Sequence, residues 1–270
     1  MKKSLMGDIG PIMLLALVCL SVGCYSKVPP LSAILAPPLP PDVISNFESG
    51  STDMNPALQG SSSGYWLDNT YPSYNVINSM FVVSNTVPDA TDSSKYAIHI
   101  YGTLTDKGDC TYPAFELQGN FKNDPSSPYL DISSFTGIQF QMNIGADDTC
   151  PQRLFGVGTA ETVNGIAGGT CTPASNCNND FWSGTPGSNG PYGGVGGSGW
   201  SIYSYTWAQL QPNPYYGPVL NPTTLSGTNL TTALCLLWKF GANNNGQTTC
   251  GGPVMTYTVD FWIDNVQFLP

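Results

Sequence analysis

Positive charge is what this chain most lacks. Its 270 residues hold 8 Lys and Arg against 18 Asp and Glu, and Arg153 and His99 are the sole arginine and histidine. A formal charge of -10 and a pI of about 4.1 leave too little basic surface to displace counterions from phosphate backbones, which excludes a nucleic-acid partner. Charged residues of either sign make up 10% of the chain, against about 25% in an average soluble domain, too few for the ion-pair ladders of a coiled coil or helical bundle. No run of ten or more residues carries a helical period, and no apolar run is long enough to span a bilayer. The glycine-rich Gly193–Gly199 opens no helix, so it is not a phosphate loop.

Glycine (30) and proline (23) are abundant instead. The first residues read as an export signal over 1–23: Lys2 and Lys3 precede an apolar Ile12–Val22 of signal-peptide length, with Asp8 between them. The signal ends in Ser21-Val22-Gly23-Cys24, which resembles a bacterial lipobox, although Ser21 stands where that motif usually has Leu. Lipidation of Cys24 would hold the chain on a membrane by its anchor alone; ordinary cleavage after Gly23 would release it. The expected location is a bacterial outer membrane or cell surface as a lipoprotein, alternatively the secreted pool. Residues 24–41 follow, where Pro29, Pro30, Pro37, Pro38, Pro40 and Pro41 favour an extended spacer with a reach of about 50 Å. Losing Lys2, Lys3 and Asp8 with the signal takes the formal charge from -10 to -11.

Export fits the cysteines. Beyond Cys19 and Cys24, the body holds Cys110, Cys150, Cys171, Cys177, Cys235 and Cys250, an even set without metal-ligand spacing or partnering histidines, hence read as disulfides. Nearness in sequence favours Cys171–Cys177 and Cys235–Cys250, leaving Cys110–Cys150.

Residues 42–270 alternate with period two. Ile138, Phe140, Met142 and Ile144 interleave with Gln139, Gln141 and Asn143, a half-buried strand. Runs at 43–48, 77–83, 96–101, 114–117, 154–157, 201–207, 233–240 and 257–268 are similar, each bounded by Gly, Pro, Asn or Ser. Nine or so strands without helices between them predict an all-β fold, an antiparallel β-sandwich. In the last run Val259, Phe261 and Ile263 share one phase and Val266 and Phe268 the other, so a bulge is expected at Asp264-Asn265.

Four segments carry a family resemblance: ISNFESG (44–50), SKYAIHIYG (94–102), YLDISSFTGIQFQMN (129–143) and the ending FWIDNVQF (261–268), with WSIYSYTWAQLQP (200–212) in support. Together they resemble galactose-binding-like jelly rolls, most similar to carbohydrate-binding modules of the family 11 type. The resemblance implies a jelly roll that binds a polysaccharide or other glycan without catalysis, and a structural Ca²⁺ where first and last strands meet. Glu48 and Asp264 match the acidic positions of that site, and Ca²⁺ takes 6–8 hard oxygens that two carboxylates and neighbouring carbonyls can supply.

A glycan needs amides and carboxylates for its hydroxyls and rings for its C–H faces. Gln139, Gln141 and Asn143 line one face of their strand; Arg153, Tyr203, Tyr205 and Trp182 are candidates to join them. The alternatives are a solvated face for the amides and core packing for Tyr203, Tyr205 and Trp238. Trp66 and Trp200 read as core. Arg153 calls for a carboxylate or a ligand. No catalytic residues are assigned: His99 has no nucleophile beside it, and of the carboxylate pairs a glycosidase would need, Glu116 with Glu161 or Asp180 stay open with nothing in the sequence to activate them. The expectation is a monomeric glycan-binding module, presumed neutral in its target because the chain is acidic. A structural or adhesive sandwich that binds protein or envelope polymer is the alternative, and a small carbohydrate-active enzyme the lesser one.

Overall fold

The computed structural model describes residues 40, 42–55, 58, 64–71, 76–86, 96–108, 114–122, 127–163, 168–172, 177, 180–183, 200–212, 224–242 and 251–270. All belong to the second of two units into which the chain divides, Leu39–Pro270. Cys24, Cys110 and Cys250 lie outside the described residues.

Twelve strands are described: β1 (Val43–Ser45), β2 (Tyr65–Tyr71), β3 (Val76–Ser84), β4 (Ala97–Asp106), β5 (Ala114–Asn120), β6 (Gly137–Ile144), β7 (Gln152–Thr159), β8 (Phe181–Trp182), β9 (Trp200–Thr206), β10 (Gln211–Pro212), β11 (Ala233–Gly241) and β12 (Met255–Leu269). They form two antiparallel sheets, the sandwich the sequence predicts. The first runs β3-β4-β12-β6-β9, with β1 on the far part of β12; the second runs β10-β8-β7-β11-β5-β2.

Period two decides what faces inward. In β6, Ile138, Phe140, Met142 and Ile144 are buried while Gln139 and Gln141 are half-exposed. Across from them the second sheet sends in Phe155 and Val157 of β7, Leu236, Trp238 and Phe240 of β11, and Phe115 and Leu117 of β5. Trp238 sits at the middle of this layer, its ring 5.3 Å from Trp66, 5.2 Å from Phe140 and 5.1 Å from Phe155. Tilted and edge-on pairs of this kind add to what area burial alone gives. The bulge in β12 is where the phase slip placed it: pairing with β6 breaks between Asp264 and Gln267, and Asn265 takes φ 49°.

Three strands escape the periodicity. β2 (YWLDNTY) offers two apolar positions in seven, and β8 and β10 are two residues each. Sheet pairing, not local pattern, makes them strands.

The cysteine pairing needs correction. Cys171–Cys177 is bonded as expected, but Cys150 and Cys235 are buried free thiols. Cys235 lies mid-strand in β11 with its side chain against Gly158. Cys150 donates toward the carbonyls of Gln152 (3.3 Å) and Gly241 (3.4 Å), and burial first, then Asp148, pushes its thiol up to about 12. Nearness along the chain held for Cys171–Cys177 and failed for Cys235, which β11 carries against Gly158.

Candidate functional site

The seven residues named as glycan contacts do not converge. Arg153 is in phase with Phe155 and Val157, so it projects between the sheets at one end of the sandwich and is 4% exposed. There its Nη2 donates to Asp148 Oδ1, a buried ion pair, so the carboxylate and not a solvent-side ligand answers it. Desolvation nonetheless raises the Asp148 pKa, with the guanidinium opposing. Tyr205 is buried and Tyr203 half-buried; both rings stack in the core, Tyr205 on Phe155 at 5.7 Å and Tyr203 on Phe140 at 5.8 Å. Arg153, Tyr203 and Tyr205 therefore leave the candidate ligand face. Alternation along β7 and β9 contained that answer, since each is in step with a core residue.

Gln139, Gln141 and Asn143 do share the outer face of the first sheet. Residues not expected as neighbours stand with them. The register aligns Trp200, Asn143, Trp262, His99 and Val82 across β9, β6, β12, β4 and β3. Trp200 is thus outward and half-exposed, a correction to its reading as core. His99 is a satisfied strand histidine: its Nε2 is 2.8 Å from Asp260 Oδ1, and its ring stacks on Trp262 at 4.0 Å and 5°.

Trp182 lies on the other side of the molecule. The outer face of the second sheet is built from the alternate residues of β5, β7 and β11. Glu116 pairs across to Lys239, which pairs to Leu154; Gln118 pairs to Leu237, then Gly156 and Trp182; Asn120 pairs to Cys235, then Gly158. Glycine at 156 makes room for the indole: a Cβ there would stand 2.6 Å from the Trp182 ring. Asp180, two residues before Trp182, lies over Gly158 and accepts from Thr162 Oγ1 at 2.7 Å. Lys239 Nζ is 5.7 Å from the Trp182 ring, and Gln118 Nε2 donates to Asn120 Oδ1 at 2.7 Å.

This strip carries the unusual electrostatics. Burial raises the Glu116 pKa, opposed by Lys239. Burial likewise pushes Asp180 up to about 7, with Glu116 adding and Thr162 and Lys239 opposing. The Trp182 indole N–H is buried without a partner; Trp66 and Trp238 share that state in the core. Two carboxyls whose pKa values burial raises, beside one amine, an indole and two amides, can donate and accept hydrogen bonds at fixed spacing. Glu161 is elsewhere, accepting from the Thr232 hydroxyl at 2.8 Å. The signal for Glu116, Gln118 and Asn120 was in the sequence: they alternate with Phe115 and Leu117.

For the metal, Glu48 Oε1 accepts the Tyr96 amide at 3.3 Å, and Asp264 Oδ1 accepts the Asn265 amide at 2.7 Å. Ile263 pairs with Ile98, so Asp264 falls one step from Tyr96 along the same ladder. Both residues thus lie near the start of β4, Asp264 buried at 1% and Glu48 exposed. Among the described residues no group of three or more His, Cys, Asp or Glu converges, so carbonyls would have to complete the shell.

No family model matches the chain, and no curated protein matches it. Among solved structures it is similar to the family 11 carbohydrate-binding module from Clostridium thermocellum in complex with a β-1,3-1,4-mixed-linked tetrasaccharide, at 11% identity over 84% of this chain and 94% of that one, TM-score 0.47. It is also similar to the Caldicellulosiruptor saccharolyticus module CBM27-1 in complex with mannohexaose, at 12% identity over 84% and 96%, TM-score 0.43. A surface glycan-binding protein from Prevotella bryantii matches at 17% identity over 70% of this chain and 50% of that one, TM-score 0.42.

Proposed function

We propose that this protein is a non-catalytic glycan-binding module whose binding strip is the outer face of the second sheet. The observation that carries the reading is the strip itself: Glu116 opposite Lys239, with Gln118, Asn120, Asp180 and Trp182 laid beside them over glycine-cleared strands. A fold gains little from desolvating two carboxyls on one face, so such a cluster marks a site more than a support. Carboxyls and amides match sugar hydroxyls, which donate and accept, and the indole supplies an apolar floor. The chain's charge of -10 repels polyanions at long range, which favours a neutral polysaccharide.

Affinity electrophoresis of the purified chain through gels containing neutral or acidic polysaccharides tests this. Retardation is expected in at least one neutral gel. No retardation in any, with folding confirmed by a melting curve, moves the reading to an adhesive sandwich that binds protein or envelope polymer. Release of new reducing ends would instead favour hydrolysis, since Glu116 and Asp180 share the strip.

Two further features belong to the proposal. Cys24 carries a lipid that displays the module at a bacterial surface; a Cys24→Ala chain that still fractionates with membranes contradicts this. Glu48 and Asp264, with carbonyl oxygens, hold a structural Ca²⁺ that braces the β1–β12 corner.

A further inference from the structure

The first sheet carries its own outward array, which the strip on the second sheet does not use. Antiparallel sheets commonly give one face to water, and such faces are ordinarily dressed with charged and hydroxyl side chains. This face carries hydroxyls and Asp260 but adds rings and amides. Its outward positions on β6, β9 and β12 include Gln139, Gln141, Trp200, Ile202, Asp260 and Trp262, with neither lysine, arginine nor glutamate on those strands. Ile202 is 63% exposed, the kind of apolar group a solvent face avoids.

The rings are organised. Tyr101 lies 4.8 Å from His99, and His99 lies 4.0 Å from Trp262, so three rings stand side by side across β4 and β12. Asp260 fixes the imidazole through its 2.8 Å contact. Next to them run the half-exposed amides, Gln141 in line with Asp264 and Gln139 with Gln267, while Asn143, in line with Trp262, is buried at 3%. Ser204 donates to Gln139 Oε1 at 3.2 Å, which fixes the oxygen end of that amide toward β9. The Trp262 indole N–H is buried without a partner, as are those of Trp66, Trp182 and Trp238.

We infer that the outer face of the first sheet is a second binding platform, for an uncharged polysaccharide chain. Amides that both donate and accept, beside ring edges and an exposed isoleucine, complement hydroxyl groups alternating with C–H patches; a face without lysine or arginine gives a sulfate or uronate nothing to pair with. The two platforms lie on opposite sides of one sandwich, so a single short chain cannot occupy both. The module is then bivalent and bridges two glycan chains, gaining avidity at a dense polymer surface. The inference rests on the proposed function for its ligand class, but not on the location of the first site.

The test is stoichiometry by titration calorimetry, with a neutral oligosaccharide cut from whichever polysaccharide retards the chain. The untreated protein, a Gln139→Ala/Gln141→Ala double variant and a Lys239→Ala variant are compared. These substitutions sit on half-exposed positions, and melting curves check that each variant folds. Two ligands per chain are expected for the parent and one for each variant, and only the parent should cross-link the long polysaccharide into a precipitate. One ligand per chain in the parent, lost in Lys239→Ala and unchanged in the double variant, overturns the second platform while leaving the proposed function standing. One ligand per chain lost only in the double variant supports this face and removes the site from the second sheet. Binding of nothing by the parent overturns both.

Discussion

The two sheets of this sandwich share a core but treat their outer faces differently. In the first sheet, β6 and β12 alternate between buried and half-exposed residues, as strands with one wet side should. In the second, every residue of β7 is buried and β11 yields only Lys239 to partial exposure. Its outer side holds a second apolar cluster, Leu154, Trp182, Leu234, Cys235 and Leu237, with acidic and basic groups set into it. A strand buried on both faces loses the alternation from which orientation is read. That is why β7 and β11 hid their outward side chains from the sequence, while β5 in the same sheet and β6 in the other kept the alternation that shows them.

Substitutions can press on this difference, starting where the sheets meet. Asp148→Ala should be the most damaging, because it strands the buried Arg153 guanidinium; the loss is about 3–5 kcal/mol, read by denaturant unfolding. A variant within 1 kcal/mol of the parent would mean the pair is solvated.

The residues that sequence placed well and badly divide along the same line. Gln139 and Gln141 were placed outward because Ile138, Phe140 and Met142 declare the inner phase of β6 without ambiguity. Arg153 was misplaced because Leu154 beside Phe155 blurs the phase that Phe155 and Val157 set for β7. Trp182 was singled out, but its neighbours Glu116 and Lys239 come from strands 66 and 57 residues away in the chain, which only pairing reveals. The thiols of Cys150 and Cys235 failed for the same reason. The bulge at Asp264-Asn265 was legible because a phase slip within one strand is a local signal.

Glycine clearance separates the two outer faces next. Gly156→Ala puts a methyl 2.6 Å from the Trp182 ring and should cost about 1–3 kcal/mol through overpacking, whereas Ser204→Ala on the first sheet should stay within about 0.5 kcal/mol. Equal melting temperatures for the two would show that nothing is packed on β7.

Proton linkage should follow the second sheet alone. The folded state keeps the Asp180 proton until about pH 7, while the unfolded chain releases it near the ordinary aspartate value of 3.8. Between those limits the folded state binds more protons, so stability falls as pH rises from about 4 to 7 and levels off above. Glu116 and Asp148, also raised by burial, act in the same direction. Asp180→Asn should flatten this slope in a pH series of unfolding curves; an unchanged slope would assign it to the other two carboxyls.

The smallest effect concerns the β1–β12 corner. If Ca²⁺ binds there only in the folded state, excess chelator lowers the melting temperature, and Asp264→Ala removes that response. A melting curve indifferent to chelator excludes the ion.

The central claim is that the strip on the second sheet binds glycan, and one comparison addresses it directly. Lys239 is half-exposed, so Lys239→Ala should leave the melting curve nearly unchanged while cutting retardation in a neutral-polysaccharide gel by about tenfold, the equivalent of one lost hydrogen bond to a charged group. Retardation equal to that of the parent would contradict the claim.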